Sequence, residues 1–187
     1  MFSRLNDEQL IIDSAKSGDR DAFEQIVKSY QDRIVRYAHN IVGDSHAAED
    51  VAQKAFINVF HYIDKYDHTK GRFSTWIYRI ARNAALNHLR SVRSKEVRFE
   101  TIVPDLPTDN DPSVSAQLKE QFECLDRALS QLPQDQRSVW VLSELENMTQ
   151  AEIAMIEGIP EGTVKSRVFR ARQAIRKSLS GQIGMEQ

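Results

Sequence analysis

The chain has 187 residues, 41% hydrophobic and 28% charged, enough for one mid-sized core or two small ones. Its net charge of −2 argues against a histone-like coat on DNA, and its single cysteine, Cys124, excludes an internal disulfide or a multi-cysteine zinc site. With 7 glycines and 5 prolines it does not read as a turn-rich sheet protein. It has no long apolar run to span a membrane, and MFSRLNDEQL at its start has no signal-peptide core, so the expected compartment is the cytoplasm.

Apolar residues recur at spacings of three and four almost throughout, the period of amphipathic helices. A short, weak helix is predicted from about Asn6 to Ser17. Phe23, Ile26, Val27, Tyr30, Ile34, Tyr37, Ala38 and Ile41 define the inner face of a second, ending near Gly43. Ala48, Val51, Ala52, Ala55, Phe56, Val59, Phe60 and Ile63 define a third, with Asp44 or Ser45 as its N-cap. A polar loop, YDHTKGR from Tyr66 to Arg72, leads into a fourth from about Ser74 to Arg93, with Trp76, Ile77, Ile80, Ala84 and Leu89 inward.

The character then changes. Glu100 to Pro112 reads ETIVPDLPTDNDP, acidic and proline-rich, with too little apolar surface to fold alone. Helix resumes near Ser113 with Leu118, Phe122, Leu125, Leu129 and Leu132, and Pro133 stops it. Another helix carries Val139, Trp140, Leu142 and Leu145. Strand alternation is scarcely visible. The expectation is an all-α protein of two small helical domains, 1–96 and 114–187, joined by a flexible acidic linker, 97–113.

The last segment is a helix-turn-helix. Thr149 to Glu152 fits the S/T-x-x-E capping box that opens a short helix, and Gly158 supplies the left-handed residue that closes it. After the turn Ile159-Pro160-Glu161-Gly162, Thr163 is expected to cap the second helix. Val164, Val168, Ala171 and Ile175 fall on its inner face, and Ser166, Phe169, Arg170, Gln173 and Lys177 on the outer, flanked by Lys165, Arg167, Arg172 and Arg176. From Gly162 to Met185 there is no acid. Such a helix suits the major groove: arginine can pair bidentately with guanine, and serine can donate or accept. An ordinary solvated face is the bland alternative, but cap, turn, register and charge all agree on DNA.

Arg79 to Arg98 forms a second basic stretch, with Arg79, Arg82, Arg90, Arg93, Lys95 and Arg98 against Glu96 alone. Aromatics at its start, Phe73 and Trp76, would stack unpaired bases while arginines neutralise the strand. The bland alternative makes both rings core, and periodicity by itself favours that for Trp76. The third helix presents His46, Glu49, Asp50, Gln53, Lys54, Asn58 and His61 on its polar side, either solvated or a docking face.

Nearly the whole chain resembles the extracytoplasmic-function (ECF) class of bacterial sigma factors, the promoter-specificity subunits of RNA polymerase. Asp21-Ala22-Phe23 to Tyr30 looks like the opening helix of the family's first domain. Ala48 to Phe56, AEDVAQKAF, resembles its AED-x-x-Q-E-x-F core-binding signature, with Lys54 in place of the usual acid. Phe73 to Asn83 resembles its melting and −10 segment. Leu132-Pro133 to Arg137, Ile159 to Arg167, and Arg170-Ala171-Arg172 resemble its −35-reading domain.

The resemblance implies that Asp50, Gln53, Lys54 and Phe56 dock on core RNA polymerase, chiefly the β′ clamp helices. It assigns the opened −10 strand to Phe73, Ser74, Thr75, Trp76, Arg79, Arg82, Asn83, Asn87 and Arg90. It assigns duplex −35 DNA to Thr163, Lys165, Ser166, Arg167, Phe169 and Arg170. It also implies an anti-sigma factor as partner, often membrane-anchored in this class, and no cofactor, metal, small-molecule substrate or enzymatic activity. At about 3.3 Å per residue, about 22 residues from Val92 to Ser113 would reach near 70 Å, enough to span the two promoter elements.

Two other readings compete. A stand-alone helix-turn-helix regulator would share the C-terminal motif but not the AED-x-x-Q segment. An enzyme with a DNA-binding tail would need a catalytic constellation, and His39, His46, His61, His68 and His88 are scattered without a ligand spacing such as H-E-x-x-H.

Overall fold

The computed structural model describes residues 2–96 and 124–183. The expected linker, and the start of the helix placed near Ser113, lie outside these residues. All regular structure described is helical: α1 Phe2–Lys16, α2 Arg20–Val42, α3 Ser45–Tyr62, α4 Phe73–Glu96, α5 over 124–130, α6 Gln134–Trp140, α7 Gln150–Glu157 and α8 Glu161–Ile183. The chain divides into two compact units, residues 1–89 and 90–187.

In the first unit, polar caps set the helix boundaries. The Asp19 carboxylate accepts from the Asp21 and Ala22 N–H groups at 2.9 and 3.2 Å, starting α2. Gly43 ends α2, its N–H donating to the His39 carbonyl, and Asp44 caps α3 by accepting from Ala47 N–H at 2.7 Å. α1 and α3 both pack on α2. α4 joins them through Tyr37 and Tyr78, whose rings meet edge to face at 5.1 Å, both fully buried. Ile12, Ile34, Val51, Val59 and Ile77 complete the core.

Two short 3₁₀ turns, Ile63–Lys65 and His68–Lys70, connect α3 to α4. Asp67 caps the second, accepting from the Thr69 N–H at 3.0 Å and its hydroxyl at 2.7 Å. Gly71 follows with φ 151°, a conformation side chains disfavour.

In the second unit, α6 and α7 pack on α8. α5 stops before Pro133, and the half-buried Arg137 donates to the Ser130 and Leu132 carbonyls at 3.0 Å each, occupying acceptors that the end of α5 leaves open. α6 runs into a π turn, Val141–Leu145. Thr149 and Glu152 form the expected capping box, and Gly158 closes α7 in the left-handed region at φ 63°. Val164, Val168, Ala171 and Ile175 of α8 are buried as predicted. Each buried aliphatic side chain contributes about 1.5–3 kcal/mol, so this inner face fixes which residues α8 presents outward. Glu157, also buried, accepts a short hydrogen bond from the Ser138 hydroxyl, tying α7 to α6.

Candidate nucleic-acid interfaces and docking groove

The outer face of α8 is assembled from its own backbone upward. α8 begins at Glu161, two residues before the expected cap: the Pro160 carbonyl already accepts from the Thr163 and Val164 N–H groups at 2.9 and 3.1 Å. Thr163 therefore lies within the first turn and is half-buried, not its cap. Its carbonyl accepts from the Ser166 hydroxyl at 2.9 Å. Arg170 folds back over Ser166, with Nε 3.2 Å from the Ser166 carbonyl oxygen and Nη2 3.3 Å from Oγ. The guanidinium is thus held on the helix surface next to the serine hydroxyl. Lys165, Ser166, Phe169 and Arg170 are all exposed, Phe169 by 59%.

Two flanking arginines behave differently from the expectation. Arg167 pairs with Asp135 of α6 at 3.0 Å, its side chain only 23% exposed, and Arg172 pairs with Glu144 at 2.7 Å. Both guanidinium groups are turned toward the unit that carries α8, so they brace it. Burial alone would raise the Glu144 carboxyl. Hydrogen bonds from Arg172 and Ser143, with the Arg172 charge, outweigh that and hold it below its usual value.

The segment opening α4 separates into inward and outward residues. Phe73 and Thr75 are buried, at 2% and 6% exposure, and offer no surface to a strand. Phe73 is the hub of an aromatic cluster, 5.7 Å from Tyr30, 5.1 Å from Tyr66 and 5.6 Å from Trp76. Both were expected among the strand-contacting residues. The helical turn instead points them into the core. Trp76 is half-buried, one part packed on Tyr66 and Phe73 and the rest open. Ser74 and Arg82 are half-buried, while Arg79, Asn83, Asn87 and Arg90 are exposed. At 100° per residue, Arg79, Arg82, Asn83, Asn87 and Arg90 form one stripe along α4.

The predicted docking face lies beside a groove between α2 and α3 of about 580 Å³. Gln53 and Phe56 line it, with Phe23, Val27, Ala52, Ile57 and Phe60. Asp50 and Lys54 are exposed on the same helix but do not line it. Phe60, expected to face the core, is 54% exposed and Ile57 is 50% exposed. The Phe60 ring meets Phe23 edge-on at 5.1 Å and stands at the groove wall. Periodicity signals that a residue is apolar and on a given side of its helix. It does not signal whether another helix covers that side, and here none of the described ones does.

Residues 26–95 match the family described as Sigma-70 region 2, and residues 122–175 match Sigma-70, region 4. The chain is 37% identical over 180 residues to the ECF RNA polymerase sigma factor SigW of Bacillus subtilis, covering 90% of this chain and 94% of that one. It is 34% identical to the RNA polymerase sigma-H factor of Pseudomonas aeruginosa, covering 96% of each, and 33% identical to the ECF RNA polymerase sigma-E factor of Escherichia coli K12, covering 94% and 95%. The fold matches two solved structures at 23% identity. CnrH in complex with the cytosolic domain of CnrY has a TM-score of 0.65, covering 93% of this chain and 97% of that one. The sigma factor RpoE of Bartonella quintana, in complex with the anti-sigma factor NepR, has a TM-score of 0.69, covering 84% and 96%. The exposed basic face of α8, the stripe on α4 and the groove beside the AEDVAQKAF helix thus sit in a chain that belongs to the extracytoplasmic-function class of the sigma-70 family: it is a sigma factor, directing RNA polymerase to promoters.

Proposed function

We propose a division of labour among three surfaces. The α2–α3 groove, with Gln53 and Phe56 inside it and Asp50 and Lys54 beside it, docks on core polymerase, chiefly the β′ clamp helices. Trp76, Arg79, Arg82, Asn83, Asn87 and Arg90, with Ser74 at their edge, hold the opened −10 strand, while Phe73 and Thr75 support them from within. Lys165, Ser166, Phe169 and Arg170 read the −35 duplex, while Thr163 and Arg167 set the position of the helix. The observation that carries the reading is α8, which has four buried aliphatic positions on one side and an exposed, acid-free basic face on the other.

The functional domains are 1–96 and 114–187, and the acidic segment 97–113 tethers them across the distance between promoter elements. The protein acts in the cytoplasm, and none of its described helices is long and apolar enough to cross a membrane. It has no chemistry of its own and lends its promoter contacts to the polymerase. An anti-sigma factor restrains it, as support for which the open apolar groove offers a surface that polymerase and inhibitor would contest.

The docking groove is tested by one variant. Phe60→Asp places a charge in the groove and should weaken core binding by about 30-fold, the size of an interface hot spot. Because Phe60 is exposed, folding stability should fall by no more than about 1 kcal/mol. Unchanged core affinity would remove the groove from the account.

A further inference from the structure

The loop between α3 and α4 is fastened from a helix outside the matched sigma region 2, which begins at residue 26. Lys16, the last residue of α1, places its ammonium 2.6 Å from the Tyr66 carbonyl oxygen, to which it donates. The same ammonium lies over the Tyr66 ring, 5.3 Å from its centroid. Tyr66 is buried, and its phenol donates to the Gly71 carbonyl at 3.2 Å. Its ring rests on Phe73 and Trp76 at 5.1 and 5.6 Å. One tyrosine therefore ties both ends of the loop 67–70 together and joins them to the ring of Trp76. Asp67 pins the middle through Thr69. His68, Thr69 and Lys70 stand exposed at the tip of this closed loop.

An exposed loop of this length would ordinarily lose much of its binding energy to ordering on contact with a ligand. Here the ordering is done in advance by buried contacts, and its outermost anchor is Lys16. We propose that Lys16 is a positioning residue for −10 recognition: through Tyr66 it holds the 67–72 loop and the Trp76 ring in the geometry that receives an unpaired base. Lys16 touches no DNA in this account. The inference rests on the assignment of the α4 segment to the −10 strand. The charge of Lys16 also complements the C-terminal end of α1, which would stabilise the fold without affecting base choice. The test must separate the two roles.

The reconstituted holoenzyme is measured on fork-junction DNA carrying a single-stranded −10 element, with each base substituted in turn. Lys16→Met keeps the aliphatic stem and removes the ammonium. It should weaken binding of the preferred −10 strand by about fivefold, a part of the factor of about ten or more that one charge-assisted hydrogen bond can supply, and flatten the preference among bases at one position. Core binding and −35 duplex binding should be unchanged. Lys16→Arg should restore both affinity and preference. Tyr66→Phe, which removes only the bond to Gly71, should act in the same direction, and the double variant should be less than additive because both act through one loop.

Unchanged −10 affinity and base preference in Lys16→Met would overturn the proposal, as would a loss spread equally over core, −35 and −10 binding. Asn83→Ala and Trp76→Ala serve as the control on the underlying assignment. If they also leave −10 binding unchanged, the assignment of α4 fails. If they weaken it and Lys16→Met does not, only the positioning role fails.

Discussion

Replacing Arg170 by alanine should weaken −35 recognition by about 5- to 150-fold, and the structure supplies the reasoning. A guanidinium carries five N–H donors in a planar fork. Two of the Arg170 donors are spent on Ser166, leaving about three directed away from the helix. That is enough for one bidentate contact with a guanine edge, worth about 1–3 kcal/mol of discrimination. At 1.4 kcal/mol per factor of ten, this gives the range above. The hydrogen bonds to Ser166 hold the fork before DNA arrives, so Ser166→Ala should cost a smaller part of the same energy. Arg170→Lys keeps the charge and loses the fork, and it should recover little specificity. The assay is holoenzyme binding to a short −35 duplex by fluorescence anisotropy, at several salt concentrations and on a set of single-base substitutions. A sequence-specific loss with an unchanged salt slope would support base readout. A uniform loss on every sequence, with the salt slope reduced by about one, would mean that Arg170 contacts phosphate and would refute the assignment.

Thr149→Ala removes the capping box of α7 and should lower the stability of the second unit by about 1 kcal/mol, read by chemical denaturation. Phe73→Ala removes the hub of a buried aromatic cluster. It should cost about 3–5 kcal/mol in folding stability, and Phe73→Leu should recover most −10 binding, a rescue not expected if the ring itself stacked on a base. The Glu144 carboxyl is held below its usual value in the folded state, so its pairing with Arg172 contributes stability that is present above the ordinary carboxylate range and lost as pH falls through its depressed folded value. Glu144→Gln should therefore flatten the acid limb of the stability profile, and an unchanged limb would show that the pair contributes nothing there.

Much of this was legible in the sequence because local rules agreed with the fold. The capping box at Thr149, the turn at Gly158 and the four apolar positions of α8 are short-range signals, and all three appear as read. Asp44 as a cap and Gly43 as a stop are of the same kind. The misplacements came where a second element decides the outcome. Thr163 looks like a cap, but the Pro160 carbonyl starts α8 earlier. Arg167 and Arg172 look like free cations until Asp135 and Glu144 arrive from α6 and the π turn. Phe60 has the spacing of a core residue and stands exposed, because its side of α3 is uncovered among the described residues. Lys16 carries no motif at all, and its contact with Tyr66 spans fifty positions.

If the groove, the α4 stripe and the outer face of α8 divide the work as proposed, they act only when polymerase joins them. The most direct test is reconstitution with core RNA polymerase and run-off transcription from a promoter selected for this protein. A specific transcript is expected with core polymerase present, reduced in Phe60→Asp and in Arg170→Ala, with no tight footprint by the protein alone. A tight, sequence-specific footprint without polymerase, with no binding to core, would contradict the account.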